Sequence, residues 1–165
     1  MTHDELVIRA AAWLRNSACV ASKWGARRVR CRIVLMEHVS SISEIPDALG
    51  WVSCGMESIL IECKANRSDF LRDNRKHFRR HAEKGIGTHR YYLVNPDVAK
   101  VEELPPTWGL LEPRGRTVKA IRLADRQERN IHAEIRLLYS AYLKAKNICG
   151  TKCRTGRQSH DRLPP

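Results

Sequence analysis

Glu62 and Lys64, two positions apart at the end of the apolar run ILIECK (Ile59–Lys64), are the residues in this chain best placed to do chemistry. Side chains alternate along a strand, so residues i and i+2 share a face. Glu62 and Lys64 therefore project together, while Ile61 and Cys63 point to the other side. Fifteen residues before Glu62, Asp47 follows Pro46 on a turn that would bring a second carboxylate beside the first. Two carboxylates in one place bind a hard divalent cation such as Mg²⁺, with water and substrate phosphate filling the other positions. A metal held there lowers the pKa of a bound water and neutralises charge on a phosphate under attack. The lysine adds positive charge near the attacking water or the scissile phosphate. This set of parts suits phosphodiester hydrolysis. A bare E-x-K also fits a salt-bridged strand end, which contributes little.

The elements that must hold these groups follow from periodicity. Residues 3–15 predict an amphipathic helix with Leu6, Ala10, Trp13 and Leu14 on one stripe, begun by a T-x-x-E capping box of Thr2 and Glu5. Alternation over 27–37 predicts one strand, with Arg28, Arg30 and Arg32 on its exposed side. Residues 40–51 read as a turn leading into a short extended piece, and 59–64 as the clearest strand. A basic helix is expected over 68–83, stopped by Gly85-Ile-Gly87, and a strand over 89–94. Trp108–Leu111 and 117–123 form an expected hairpin, and a final helix is predicted over 126–146. The order of elements implies an α/β fold, a central mixed sheet flanked by helices. The expected division is a single domain over 1–146 and a basic, flexible tail over 147–165.

The composition narrows the classes of function. The chain has 165 residues, 42% hydrophobic and 29% charged, as globular domains have. Thirty Lys+Arg against eighteen Asp+Glu give a net charge of +12, which attracts polyanions. Nine of those bases lie between Glu62 and Arg90, against four acids. No stretch approaches the roughly 20 apolar residues of a membrane span. The N-terminus lacks the basic-then-apolar order of a signal peptide, so a cytoplasmic protein without a membrane partner is expected. The six cysteines follow no framework and read as reduced thiols. Cys149 and Cys153, with His160 beyond, lack the second ligand pair of a structural zinc site.

Pro46-Asp47 followed by Glu62-Cys63-Lys64 resembles the signature of the PD-(D/E)xK nuclease superfamily. The stretches IPDALGW (Ile45–Trp51) and ILIECKANRSDFLRDNRK (Ile59–Lys76) are similar to a group of small bacterial and phage members. In that group the lysine is followed by a serine/arginine-aspartate-phenylalanine turn and a basic helix. The GTHRYYLVNP (Gly87–Pro96) and ELPPTWGLLEP (Glu103–Pro113) segments also resemble theirs, so the likeness covers about residues 1–123. It implies a restriction-endonuclease-like core and Mg²⁺-dependent cleavage of DNA, with Mn²⁺ as a substitute, in repair, phage DNA processing or defence. By motif position it gives metal binding to Asp47 and Glu62 and a charge-stabilising or base-assisting role to Lys64. It adds the Cys63 backbone carbonyl and Glu5, on the first helix, as further metal ligands, and Ser68 and Asp69 as supports of the site.

Each further assignment has a plainer alternative. Glu5 fits the capping box equally well, and Glu37 fits a solvated strand end. Asp69 and Asp73 share a helix face, where aspartates near a helix start are favoured by the dipole. Arg67, Arg72, Arg75, Lys76, Arg79 and Arg80 are expected to bind DNA phosphates without reading sequence. A solvated charged face is the alternative. Tyr91, Tyr92 and Trp108 offer stacking surfaces, though aromatics on strands are more often core. The competing function is a non-catalytic DNA-binding module of the same fold, indifferent to metal. A third is a basic face for an acidic protein. Cutting both strands of a duplex commonly takes two active sites, so a homodimer is compatible with the nuclease reading.

Overall fold

The computed structural model describes residues 1–40, 44–52, 56–73 and 81–148. Helix α1 (His3–Asn16) begins on the expected capping box. Thr2 Oγ accepts from the Glu5 N–H at 3.3 Å, and the Glu5 carboxylate accepts from the Thr2 N–H at 2.8 Å. Its stripe of Leu6, Ala10, Trp13 and Leu14 is buried. An antiparallel hairpin follows, β1 (Ala18–Ser22) and β2 (Gly25–Val29).

The central sheet has six strands, β3 (Cys31–Met36), β4 (Ala48–Val52), β5 (Ser58–Lys64), β6 (His89–Val94), β7 (Gly109–Arg114) and β8 (Thr117–Arg122), which lie side by side in that order. β5, β6 and β7 are parallel and the remaining neighbours antiparallel, so the sheet is mixed. Helix α2 (Arg67–Asp73) lies in the connection from β5 to β6, and helix α3 (Ile131–Ile148) follows β8. The fold is α/β, as the periodicity predicts.

The alternation along β5 divides the core. Ile59, Ile61 and Cys63 pack with Leu6 and Leu14 of α1, with the hairpin and with Tyr91. Leu60 faces the other way, to Phe70 of α2, Leu137 of α3, Tyr92 and Trp108. The aromatics offered above as stacking surfaces are therefore core. Tyr92 stacks on Trp108 with ring centroids 4.6 Å apart, and Tyr91 meets Trp13 edge-on at 5.4 Å. A Cβ on Gly109 would lie 2.2 Å from the Tyr91 ring, so only glycine lets β7 approach.

Three differences from the predicted elements have local causes. The single strand expected over 27–37 is two strands in two sheets. Val29 ends β2 opposite Ala18, and Cys31 begins β3 opposite Val52. Both are buried and Arg30 between them is exposed, so the alternation continues unbroken through the break. Strand β1 was not expected, because ACVAS is too short and too small to signal itself. The last helix starts at Ile131 and not at 126. The Gln127 N–H is spent on Thr88 O and the Asn130 N–H on Gly85 O. Asn130 then caps the helix, its Oδ1 accepting from the Ala133 N–H at 3.0 Å. Among the described residues no helix is long and apolar enough to cross a membrane.

One buried acid docks α3 on the sheet. Glu134 is 2% exposed and accepts from Trp51 Nε1 (2.9 Å), Ser58 Oγ (2.7 Å), the Gly87 N–H (2.9 Å) and Arg129 (2.9 Å). Removing one member of a buried, paired network costs about 3–5 kcal/mol, because the partners are left desolvated. Glu134→Ala is therefore expected to lose about that much in urea unfolding. Tyr142→Ala, on the exposed side of α3, is expected to stay within about 0.5 kcal/mol of the parent.

Candidate active site

The antiparallel register of β4 and β5 places Ala48 beside Ile61, so Asp47, just before β4, lies at the carboxyl end of β5. The Cys63 N–H donates to Asp47 Oδ2 at 2.7 Å and fixes that carboxylate against the strand. Glu62 and Lys64 share the opposite face from Cys63, as the period of two requires. Lys64 Nζ lies 3.2 Å from Glu62 Oε2, 3.7 Å from Asp47 Oδ2 and 3.5 Å from Asp73 Oδ1. Asp73, at the end of α2, also accepts from the Tyr92 hydroxyl at 2.8 Å. Asp47, Glu62 and Lys64, separate in sequence, are thus brought into one cluster. The Glu62 and Asp73 side chains are 3% exposed and that of Lys64 11%.

Burial disfavours charge on Asp47, Cys63 and Lys64, and the neighbours decide which of them keep it. Burial pushes the Asp47 carboxyl up, Glu62's charge pushes it further, and Lys64 with the Cys63 amide only partly offsets them. The result is about 6 against an ordinary 3.8. Burial works against the Lys64 ammonium as well, but Glu62, Asp47 and Asp73 outweigh it and hold Lys64 above its ordinary value. At neutral pH Lys64 therefore carries its proton and acts as a positive charge, not as a base. The Cys63 thiol, driven up by burial and by the two acids, stays neutral.

The donor chemistry fits Mg²⁺. That ion is held by one or two carboxylates with waters and substrate phosphates, and the desolvated pair Asp47 and Glu62 is short of positive charge even with Lys64 beside it. Among the described residues no group of three or more His, Cys, Asp and Glu is arranged to hold a metal by itself. Asp47 and Glu62 are the carboxylates on offer.

Other residues singled out in the sequence fall elsewhere. The Glu5 carboxylate is engaged in the capping box. α1 instead reaches the cluster through His3, whose Nε2 lies 3.7 Å from Asp47 Oδ1 and 3.4 Å from Glu37 Oε1. Glu37 adopts φ +43°, a left-handed conformation that costs a side-chain-bearing residue about 1 kcal/mol. Asp69 accepts from Asn66 Nδ2 at 2.8 Å and pairs with Arg72 at 3.2 Å, and Ser68 Oγ donates to Asn66 Oδ1 at 2.7 Å. These contacts organise the start of α2, while Asp73, one turn on, is the aspartate that meets Lys64. The spacing of four between them signalled a shared helix face but not which aspartate lies over the strand. Arg67 is held by a bidentate pair with Glu103 and by Val98 O, so it staples the start of α2 to the segment 98–103. Arg75, Lys76, Arg79 and Arg80 lie outside the described residues. His3 and Tyr92 had no signal in the sequence beyond their elements.

No family model matches the chain, and no curated protein matches it. The chain is similar to the solved structure of a protein of unknown function from Silicibacter pomeroyi. The two share 22% identity over 78% of this chain and 85% of that one, with a TM-score of 0.54. That likeness speaks for the fold alone.

The raised Asp47 value sets a pH dependence. Between about pH 4 and 6 the folded chain keeps a proton that the unfolded chain has lost, so this group's contribution to stability falls as pH rises through that window. Asp47→Asn removes the liability and leaves an oxygen to accept from Cys63. In metal-free buffer its thermal midpoint is expected to equal or exceed the parent's at pH 7, with the advantage vanishing towards pH 4. A variant clearly less stable at pH 7 than at pH 4, relative to the parent, contradicts the assignment.

Proposed function

We propose that this chain is a metal-dependent deoxyribonuclease with a restriction-endonuclease-like core of the PD-(D/E)xK type, hydrolysing DNA phosphodiester bonds. The observation that carries the reading is the cluster itself. At the end of β5 the Lys64 ammonium lies 3.2 Å from Glu62, on the same strand, and 3.7 Å from Asp47, just before β4.

Asp47, Glu62 and the Cys63 carbonyl would hold Mg²⁺, or Mn²⁺ in its place. The ion would supply an acidified water and charge neutralisation at the scissile phosphate. Lys64, fixed by Glu62 and Asp73, presents a permanent positive charge towards a phosphate entering beside it. Charge that develops on the phosphate oxygens is then stabilised without reorganisation. Asp73 and the Tyr92 hydroxyl act through Lys64 as positioning groups. Burial excludes water from one side of the cluster, which strengthens every one of these interactions. The net charge of +12 supports a polyanionic substrate.

The test is cleavage of supercoiled and of circular single-stranded DNA in Mg²⁺, Mn²⁺ or EDTA. Wild type is expected to cut one or both circles only with metal. Glu62→Ala and Lys64→Ala are each expected to lower the rate at least about 10²–10³-fold, with DNA affinity in EDTA within a few-fold of wild type. Cleavage that persists in a clean Glu62→Ala preparation overturns the reading. Metal-indifferent binding without cleavage would make the chain a DNA-binding module.

A further inference from the structure

The hairpin and the first sheet strand carry arginines that the candidate active site does not use. Arg27 and Arg28 of β2, Arg30 at the break and Arg32 of β3 converge with Arg15, near the end of α1, and Arg126 on an open cleft of about 820 Å³. Among the described residues of its lining Glu57 is the single acid, and it is shared by Arg27 and by Arg126, at 3.0 Å from the latter. Among the described residues Arg15, Arg28, Arg30 and Arg32 have no acidic partner. Four unmatched guanidiniums around one concavity repel one another, so the free protein bears a cost that an anion would remove. Guanidiniums also grip phosphate in a two-pronged manner that lysine does not.

The cleft and the carboxylate cluster sit at opposite ends of the same elements. α1 runs from His3, beside Asp47, to Arg15 in the cleft, which is about 18 Å at 1.5 Å per residue. From Asp47, just before β4, the strand runs to Val52 in the cleft lining, about 17 Å at 3.3 Å per residue. The two estimates agree. In a duplex, 17 Å is about five base pairs at 3.4 Å each.

We infer that the arginine cleft is a second anchoring site for the phosphate backbone of nucleic acid, about five base pairs from the bond at the Asp47–Glu62–Lys64 cluster. It rests on the nuclease reading for its substrate, though not on turnover. The edge strand β3, one side of which has no partner strand among the described residues, joins the two sites. The anchor carries no sequence information, since phosphate contacts position and do not specify. Its contribution to binding is the same in ground and transition states, so it acts on KM and not on kcat.

The test measures binding of a short labelled DNA duplex in EDTA by fluorescence anisotropy over a range of salt. The combined variant Arg28→Gln/Arg30→Gln/Arg32→Gln is expected to lower the slope of log affinity against log salt by about 2–3 and to weaken binding at least tenfold at about 150 mM salt. A matched variant, Arg114→Gln/Arg116→Gln/Lys119→Gln on the β7–β8 hairpin, removes the same charge elsewhere and is expected to stay within about threefold. Changing the three cleft arginines to lysine instead should restore most of the slope and show that the fold tolerates substitution. Equal losses in the two triple variants, an unchanged slope in the cleft variant, or no DNA binding by wild type each overturn the inference. Competition by polyglutamate as effective as that by DNA also overturns it, in favour of an acidic protein partner. Cleavage assays separate the two readings. If wild type binds through the cleft but never cuts, the nuclease reading fails alone; if it cuts and the cleft variant binds normally, the anchor fails alone.

Discussion

The ammonium of Lys64 is the interaction on which the rest of the arrangement depends. It stands among three desolvated carboxylates contributed by the turn before β4, by β5 and by α2. Without it, those acids would face one another across a low-dielectric space with no positive charge between them, an arrangement that is strongly unfavourable. With it, the end of β5, the start of β4 and the end of α2 are tied to one point. The Cys63 amide holding Asp47 and the Tyr92 hydroxyl holding Asp73 then set the distances. The sheet register delivers these partners, and a slip of one residue in β5 would turn Glu62 and Lys64 into the core under α1.

The balance remains incomplete, and that has a functional sense. Burial and the neighbouring Glu62 charge push the Asp47 carboxyl up to about 6, and Lys64 only partly offsets them. Stability is given up at the place where a cation and a phosphate would restore it. The opposite imbalance exists at the other end of the same strands, where arginines gather around Glu57. On the proposed reading, the acid-rich end and the base-rich end joined by α1 and β3 form a track for a polyanion, with the scissile phosphate at the acidic end. Glu134 is fully matched by contrast, and its network carries no such deficit.

Much of this was legible in the chain, for reasons that can be named. The period of two in ILIECK put Glu62 and Lys64 on one face and Cys63 on the other, which the two core clusters reproduce. The T-x-x-E box fixed the start of α1, and the same box explains why the Glu5 carboxylate is engaged there. What the sequence hid was non-local. Asp73, held by the Tyr92 hydroxyl, reaches Lys64 only because α2 crosses over the β5–β6 pair, and His3 reaches Asp47 only because α1 lies along the sheet. The split at Arg30 was invisible because buried Val29 and Cys31 flank exposed Arg30 in the phase that one continuous strand would have. The unwound segment before α3 was hidden as well, since its amides are satisfied by loops far away in the chain.

The most direct test of the central claim is a Mn²⁺ titration of isotopically labelled protein followed by backbone amide NMR, with a short uncleavable duplex bound. If Asp47 and Glu62 form a metal site, paramagnetic broadening should appear first at Ala48, Cys63 and Lys64, spare Arg28 to Arg32, and be lost in Glu62→Gln. Broadening that is spread evenly over the surface, or that survives unchanged in Glu62→Gln, would contradict the account.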